Sequence, residues 1–515
     1  MHHRRQILLA AASLAIASPL RLLAQPRFQA NPFTLGVASG YPLPDGVVLW
    51  TRLAPEPLNT SGSGGMADAA VTVTWEVAAD DAFRTIVRKG TALATADWAH
   101  SVHVEIGGLQ AARWYHYRFH AGEATSAVGR FRTAPAVDAA NDRLRLALAS
   151  CQHYEQGYFA AYRHMAREDL DLVVHVGDYI YESSFGSNLV RSHASPEPFT
   201  LSGYRNRYAL YKSDADLQAA HAAFPWLVTR DDHEVSNDYA NDRSQRNDPP
   251  EVFLQRRAAA YQAYYEHMPL PAWARPRGPH AQLYGQSAFG QLAKISVLDD
   301  RQYRSHQVCA RPGRGGSVVV KAAECPQRLS PDLSLLGVPQ ERWLHSTLEK
   351  PSPGWNIIAQ QTLMAQRTRA IDNDPAYWTD GWDGYPKARE RLLSHIAARD
   401  IKNTLVLGGD VHAGIVADLK VNFDDAQAPV VATEFVGTSI ATQGPGPKIT
   451  EVALEKNPHL KFYNGTQRGY TTFDLTPARC EVRMRTLSRI TERDATVSDL
   501  AAFVVESGRP GAQKS

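Results

Sequence analysis

The sequence predicts an α/β protein with a small all-β sandwich in front of it, and three observations carry that reading. From about Gln25 to Pro135 the chain runs in short stretches of period two separated by Gly, Pro and Asp, which suits half-buried strands. From about Arg143 onward strand-like and helix-like stretches alternate, the pattern of helices packed on both faces of sheets. Between the two lies Thr133-Ala134-Pro135-Ala136-Val137-Asp138-Ala139-Ala140, broken by proline and poor in core residues. At 515 residues the chain is long enough for two or three domains. A net charge of +2, with no basic run, gives no case for sequence-specific nucleic-acid binding.

In chain order, residues 1–24 read as an export signal. His2-His3-Arg4-Arg5 is followed by an apolar run from Ile7 to Ile16, by Pro19 and by a small-residue site near Ala24. The run is too short to span a membrane, so no stable anchor is expected. Arg4-Arg5-Gln6-Ile7-Leu8 is similar to a twin-arginine signal, which makes the twin-arginine machinery a partner and the periplasm or exterior the destination. An ordinary secretory signal is the alternative. Residues 25–136 follow as a fibronectin-like or immunoglobulin-like sandwich, with Trp75, Tyr117 and Phe119 in its core.

The α/β part, 143–505, opens on a β-α-β unit. Leu144, Leu146 and Leu148 mark one face of a strand; Phe159, Tyr162, Ala166 and Leu170 fall at helical spacing; Leu172 to Val176 reads as a buried parallel strand. Functional groups collect where such strands end, because the loops there are open while the sheet holds them rigidly. Cys151, Asp178 and Tyr181 sit at these tips. Two more apolar runs, Trp226 to Thr229 and Thr404 to Leu407, end in Asp231-Asp232-His233-Glu234 and Gly408-Gly409-Asp410-Val411-His412. A thiolate, a carboxylate and a phenolate converging on one edge would concentrate negative charge at high cost unless a metal ion compensates them. The polar, tyrosine-rich stretch between Glu182 and Phe224 predicts a lid or insertion beside that edge. Gly469 to Leu475 and Cys480 to Met484 predict a terminal hairpin, and residues 506–515 a disordered tail. Cys309 and Cys325 flank a Gly/Val-rich loop, either as a disulfide or as two unpaired thiols.

Gly177-Asp178 with Tyr181 three residues on, then Asp231-Asp232-His233-Glu234, then Gly409-Asp410-Val411-His412, resembles the metallophosphoesterase superfamily. With Cys151 after the first strand, the pattern is most similar to the PhoD-like alkaline phosphatase/phosphodiesterase family. The resemblance covers nearly the whole chain and implies a four-layer α/β/β/α sandwich. It also implies that Asp178 bridges two metals, that Cys151, Tyr181 and His412 hold Fe(III), and that Asp232 and Asp410, carboxylates where relatives have Asn and His, favour Ca²⁺, two per iron. His233 would then assist the leaving group; its alternative is a structural histidine. Arg301 is either a phosphate clamp or a packing salt bridge.

The implied activity is an exported, monomeric, metal-dependent phosphoesterase acting on phosphate monoesters or diesters. A phospholipase D-type or teichoic-acid phosphodiesterase is the variant within this class. The rival outside it is a non-catalytic cell-envelope binding protein.

Overall fold

The computed structural model describes residues 27–350, 354–371 and 374–515; the expected export signal lies outside the described residues. The strand Leu144–Ala149 sets the middle of the molecule, because its alternate side chains enter different cores. Leu144, Leu146 and Leu148 face a second sheet, while Ala147 and Ala149 face a helical layer. Small residues on the outer side let helices approach, and leucines fill the space between sheets.

Leu144–Ala149 pairs in parallel with Leu172–His175, with Val173 opposite Ala147, and Leu172–His175 pairs in parallel with Pro225–Val228. These strands belong to a ten-stranded sheet. A seven-stranded sheet lies against it and includes Ala293–Val297, Trp355–Ala359, Thr404–Gly408 and Val430–Val436, all parallel neighbours. Ile295, Ile357, Leu405, Leu407 and Phe435 meet the leucines of Leu144–Ala149 in a shared core. Helices Leu201–Lys212, Ala215–Ala223 and Pro250–His267 cover the first sheet, and Gly337–Leu348 and Pro386–Ala398 cover the second. The result is the four-layer α/β/β/α sandwich.

The N-terminal β domain shares its sheet with the α/β part. Val37–Leu43 pairs in parallel with Pro225–Val228, and Gly46–Arg52 and Ser101–Ile106 extend that edge. Its other sheet contains Val71–Ala78, Ile86–Ala94 and Trp114–Ala121, and Tyr117 and Phe119 are buried between the two while Trp75 packs at their margin.

Two expectations are corrected. The stretch from Glu182 to Phe224 is an insertion and not chiefly polar: Phe185 lines the cleft, but Tyr204, Tyr208 and Tyr211 are fully buried in the helical layer. Thr200 and Asp214 cap the two helices there, accepting from Gly203 N and from Asp216 N and Leu217 N. Nor is 506–515 disordered. Val497–Glu506 turns at Gly508 into the edge strand Arg509–Lys514, with Phe503 and Val505 in the inter-sheet core and Gly511 N donating to Thr433 Oγ1 at 2.8 Å. Its polar sequence hid a strand held by backbone bonding. Cys309 and Cys325 form a disulfide, while Cys151 and Cys480 are free and buried.

Candidate metal centre

The strand tips bring together all six residues expected to bind metal. Cys151, Asp178, Asp410 and His412 follow the strands Leu144–Ala149, Leu172–His175 and Thr404–Gly408, and each has a left-handed backbone, with φ of 57°, 57°, 63° and 52°. That conformation costs non-glycine residues on the order of 1 kcal/mol or more each, so the surroundings must impose it. Cys151 N donates to Gly177 O and Gln152 N to Asp178 O, both at 3.1 Å, locking the first two loops together. Gly177 is required because a Cβ there, at φ 108°, would lie 2.6 Å from Asp231 N. Glu234 ties down the third loop: it accepts from Asp178 N at 3.2 Å, Tyr179 N at 2.6 Å and Asp231 N at 2.8 Å. One buried carboxylate thereby fixes both metal-type loops.

Within this frame the donor atoms form a connected series. Atoms of Cys151, Asp178 and His412 lie within 4.8 Å of one another, as do those of Asp178, Asp232 and His233, and those of Asp231, Asp232 and Asp410. Asp178 belongs to two of these groups, and Asp232 to two of them and to a third described below. Tyr181 Oη donates to Asp178 Oδ2 at 2.7 Å and lies 3.1 Å from His412 Nε2. Tyr181 is reached through a loop rather than a helical turn, and Tyr211 Oη accepts from its N–H at 3.1 Å.

The charges explain what the group lacks. Burial, then Asp178, pushes the Cys151 thiol well up, and the same causes raise Tyr181. Burial raises Asp231, Asp232 and Asp410 against the opposing pull of Arg301. Burial also acts to raise Asp178, but His233 and His412 outweigh it and hold the carboxyl below its usual range. Asp178 Oδ1, Asp231 Oδ2 and Asp232 Oδ1 are buried without a hydrogen-bond partner. Unsatisfied buried carboxylate oxygens are costly; cations at this edge would satisfy them, so the donor set fits a group of metal ions.

Arg301 is placed differently from a phosphate clamp. Its guanidinium is buried, donates from Nε to Asp231 Oδ1 at 2.5 Å and from Nη1 to Asp380 Oδ2 at 2.6 Å, and turns Nη2 towards Asp232 and Asp410 at 3.6 and 3.9 Å. It is the internal counter-ion of the carboxylates, which is the packing alternative. His233 does face the cleft, an opening of about 280 Å³ that Asp178, Asp232, Asp410 and His412 also line.

Several functional-site residues escaped the sequence reading. Glu182 Oε2 lies 2.6 Å from His233 Nδ1, and its other oxygen accepts from Asn237 N at 2.8 Å. Burial opposes the charge on His233, but Glu182, Asp232 and Asp178 outweigh it and raise its pKa well above the ordinary value. Glu182 stands one residue after Tyr181, so position alone was its signal. Asp238 and Asp380 join Asp232 in a further buried group, and Arg367, Arg369 and Trp378 line the cleft; Asp380 stands just past the short strand Asp374–Trp378. Glu182→Gln removes the partner that stabilises the imidazolium. His233 should then lose its proton at lower pH, moving the alkaline limb of a pH–rate profile downward by about a unit or more. An unmoved limb in that profile would separate Glu182 from His233.

Residues 146–484 match the family model described as PhoD-like phosphatase, and residues 16–135 match that of the PhoD-like phosphatase N-terminal domain. Alkaline phosphatase D of Bacillus subtilis (strain 168) is 47% identical over 501 residues, covering 95% of this chain and 84% of that protein. A solved structure titled "Structure of PhoD" superposes with a TM-score of 0.89 at 47% identity, covering 95% of this chain and 93% of its own.

Proposed function

The chain belongs to the PhoD-like phosphatase family and is a phosphoesterase; from that premise we propose that it works outside the cytoplasm with Fe(III) and Ca²⁺ bound at the strand tips. The observation that carries the reading is the series of donor groups sharing Asp178 and Asp232, with three buried carboxylate oxygens lacking partners. Cys151, Tyr181 and His412, with Asp178, would hold the iron, since phenolate and thiolate suit a ferric ion. Asp178, Asp232 and Asp410 would hold Ca²⁺, an ion that prefers carboxylate oxygens. Such ions, when bound, activate water and offset charge on the phosphoryl oxygens.

The chain's own residues supply the rest. His233, kept protonated by Glu182, stands in the cleft as the donor to the departing oxygen. Arg301 keeps Asp231, Asp232 and Asp410 close together without closing the free oxygens of Asp231 and Asp232. Glu234 and Gly177 preserve the spacing of the loops. Export is supported by the Arg4-Arg5 signal and by the Cys309–Cys325 disulfide, a bond that persists in oxidising compartments. No helix among the described residues is long and apolar enough to cross a membrane.

The test uses protein recovered from the periplasmic or culture fraction. It should hydrolyse para-nitrophenyl phosphate, bis-para-nitrophenyl phosphate or both, lose activity to a calcium-selective chelator and regain it with Ca²⁺ alone. Recovery with Zn²⁺ only would remove calcium from the proposal, inactivity on both esters after metal reconstitution would remove the catalytic reading, and unprocessed protein confined to the cytoplasm would remove export.

A further inference from the structure

One wall of the cleft is unexplained by the carboxylate cluster. Arg367 and Arg369 line it beside Trp378, Pro445 and Ile449. The segment that carries them is fixed from below: buried Glu434 accepts from Met364 N at 2.6 Å and Ala365 N at 2.8 Å, and Asp383 Oδ2 accepts from Arg367 N at 2.9 Å. Asp383 is the nearby acid, yet its Oδ1 already pairs with Arg389 Nη1 at 2.7 Å.

The two guanidiniums are left with aromatic neighbours and no counter-ion. Arg367 lies 5.0 Å from the Tyr463 ring centre and Arg369 5.9 Å from that of Trp378. Among the described residues neither has a carboxylate partner at ion-pairing distance, and Arg369 Nε is buried without a hydrogen bond. Burial, followed by the charge of Arg367, lowers Arg369 to about 10, so it remains charged at neutral pH. Two adjacent cations in a partly buried wall are unfavourable by themselves. They become favourable when an anion with several oxygens joins them, since guanidinium forks match phosphate geometry. Arg301, in contrast, has acids near each of its terminal nitrogens, Asp380 at 2.6 Å from Nη1 and Asp232 and Asp410 at 3.6 and 3.9 Å from Nη2, which makes no hydrogen bond.

We propose that Arg367 and Arg369 bind the anionic oxygens of the phosphate ester, and of the phosphate released from it, taking the clamp role that the sequence suggested for Arg301. This rests on the phosphoesterase reading of the same cleft. The pair approaches the ester from a loop held by Glu434 and Asp383 and from the start of the strand Arg369–Ile371 that follows it, away from the strands that carry the metal-type donors, so its loss leaves those donors in place.

The experiment titrates inorganic phosphate into metal-replete wild type, Arg367→Gln and Arg369→Gln by calorimetry, and measures KM for para-nitrophenyl phosphate and metal content. Arg369→Gln should weaken phosphate binding about tenfold and raise KM by a similar factor, with metal content retained. Arg369→Lys should recover part of the affinity, because it keeps the charge but not the fork; it also carries the test should the Gln variant fail to fold. Unchanged phosphate affinity and KM would overturn the inference, as would a loss of affinity matched by loss of metal. A wild type that binds phosphate through these arginines yet hydrolyses neither nitrophenyl ester would sink the phosphoesterase reading and leave the clamp standing. One that turns over normally with unaffected variants would do the reverse.

Discussion

Asp178→Asn should abolish turnover while the fold survives. Asp178 alone joins the group of Cys151 and His412 to the group of Asp232 and His233. Its Oδ2 accepts the Tyr181 hydroxyl at 2.7 Å, leaving Oδ1 buried and unpartnered. An amide of the same shape keeps the packing, but it lowers the charge by one and turns one of two acceptor atoms into a donor. Both ion positions proposed here then lose a shared ligand. We expect kcat/KM to fall by roughly 1,000-fold or more, on the order of 4 kcal/mol of transition-state stabilisation, with at least one metal equivalent lost per chain. Stability separates this from simple misfolding. In metal-free protein the buried carboxylates outnumber the arginines touching them, so removing one negative charge should leave thermal stability unchanged or raise it. In metal-loaded protein the same change should lower it, because less binding energy supports the folded state. Near-wild-type turnover with full metal content would break the shared-ligand assignment.

The sequence announced the strand tips because two requirements coincide there. Leu144, Leu146 and Leu148 must alternate to fill the inter-sheet core, and the next residues must leave the sheet, so Cys151, Asp178 and Asp410 stand at positions that periodicity marks. Arg367 and Glu182 lie on irregular backbone and Arg369 opens a strand of only 3 residues, so no period distinguishes a cleft residue from an exposed one there. Arg301 shows a second limit. Its place in the chain suited a clamp, but its direction depends on Asp231 and Asp380, 70 and 79 residues away in sequence. The tyrosines after Glu182 misled for a related reason. Their hydroxyls made the stretch look polar, whereas Tyr204 and Tyr211 bury their rings and spend those hydroxyls on backbone groups.

Tyr181→Phe should bleach the protein. In the folded chain burial, then Asp178, keeps Tyr181 a neutral phenol and Cys151 a neutral thiol. A ferric ion beside them would displace both protons, so iron loading of metal-free protein should acidify an unbuffered solution. The phenolate formed donates electron density to the iron, and the loaded protein should absorb visible light in a charge-transfer band that neither Ca²⁺ nor Zn²⁺ produces. Phenylalanine removes only Oη. The ring keeps its neighbours His153, His233 and Phe185, at centre distances of 4.6, 4.2 and 5.6 Å, so packing should hold. What disappears is the oxygen that sits 2.7 Å from Asp178 Oδ2, 3.1 Å from His412 Nε2 and 3.0 Å from Thr442 Oγ1. Colour should vanish, proton release should fall, and activity should drop by about a hundredfold as the iron is held more loosely. Cys151→Ser exchanges sulfur for oxygen at the same strand tip, and should shift the band rather than erase it. A colourless, iron-free wild type with full activity would overturn the roles of both residues, and an unaltered band in Tyr181→Phe would place the chromophore elsewhere.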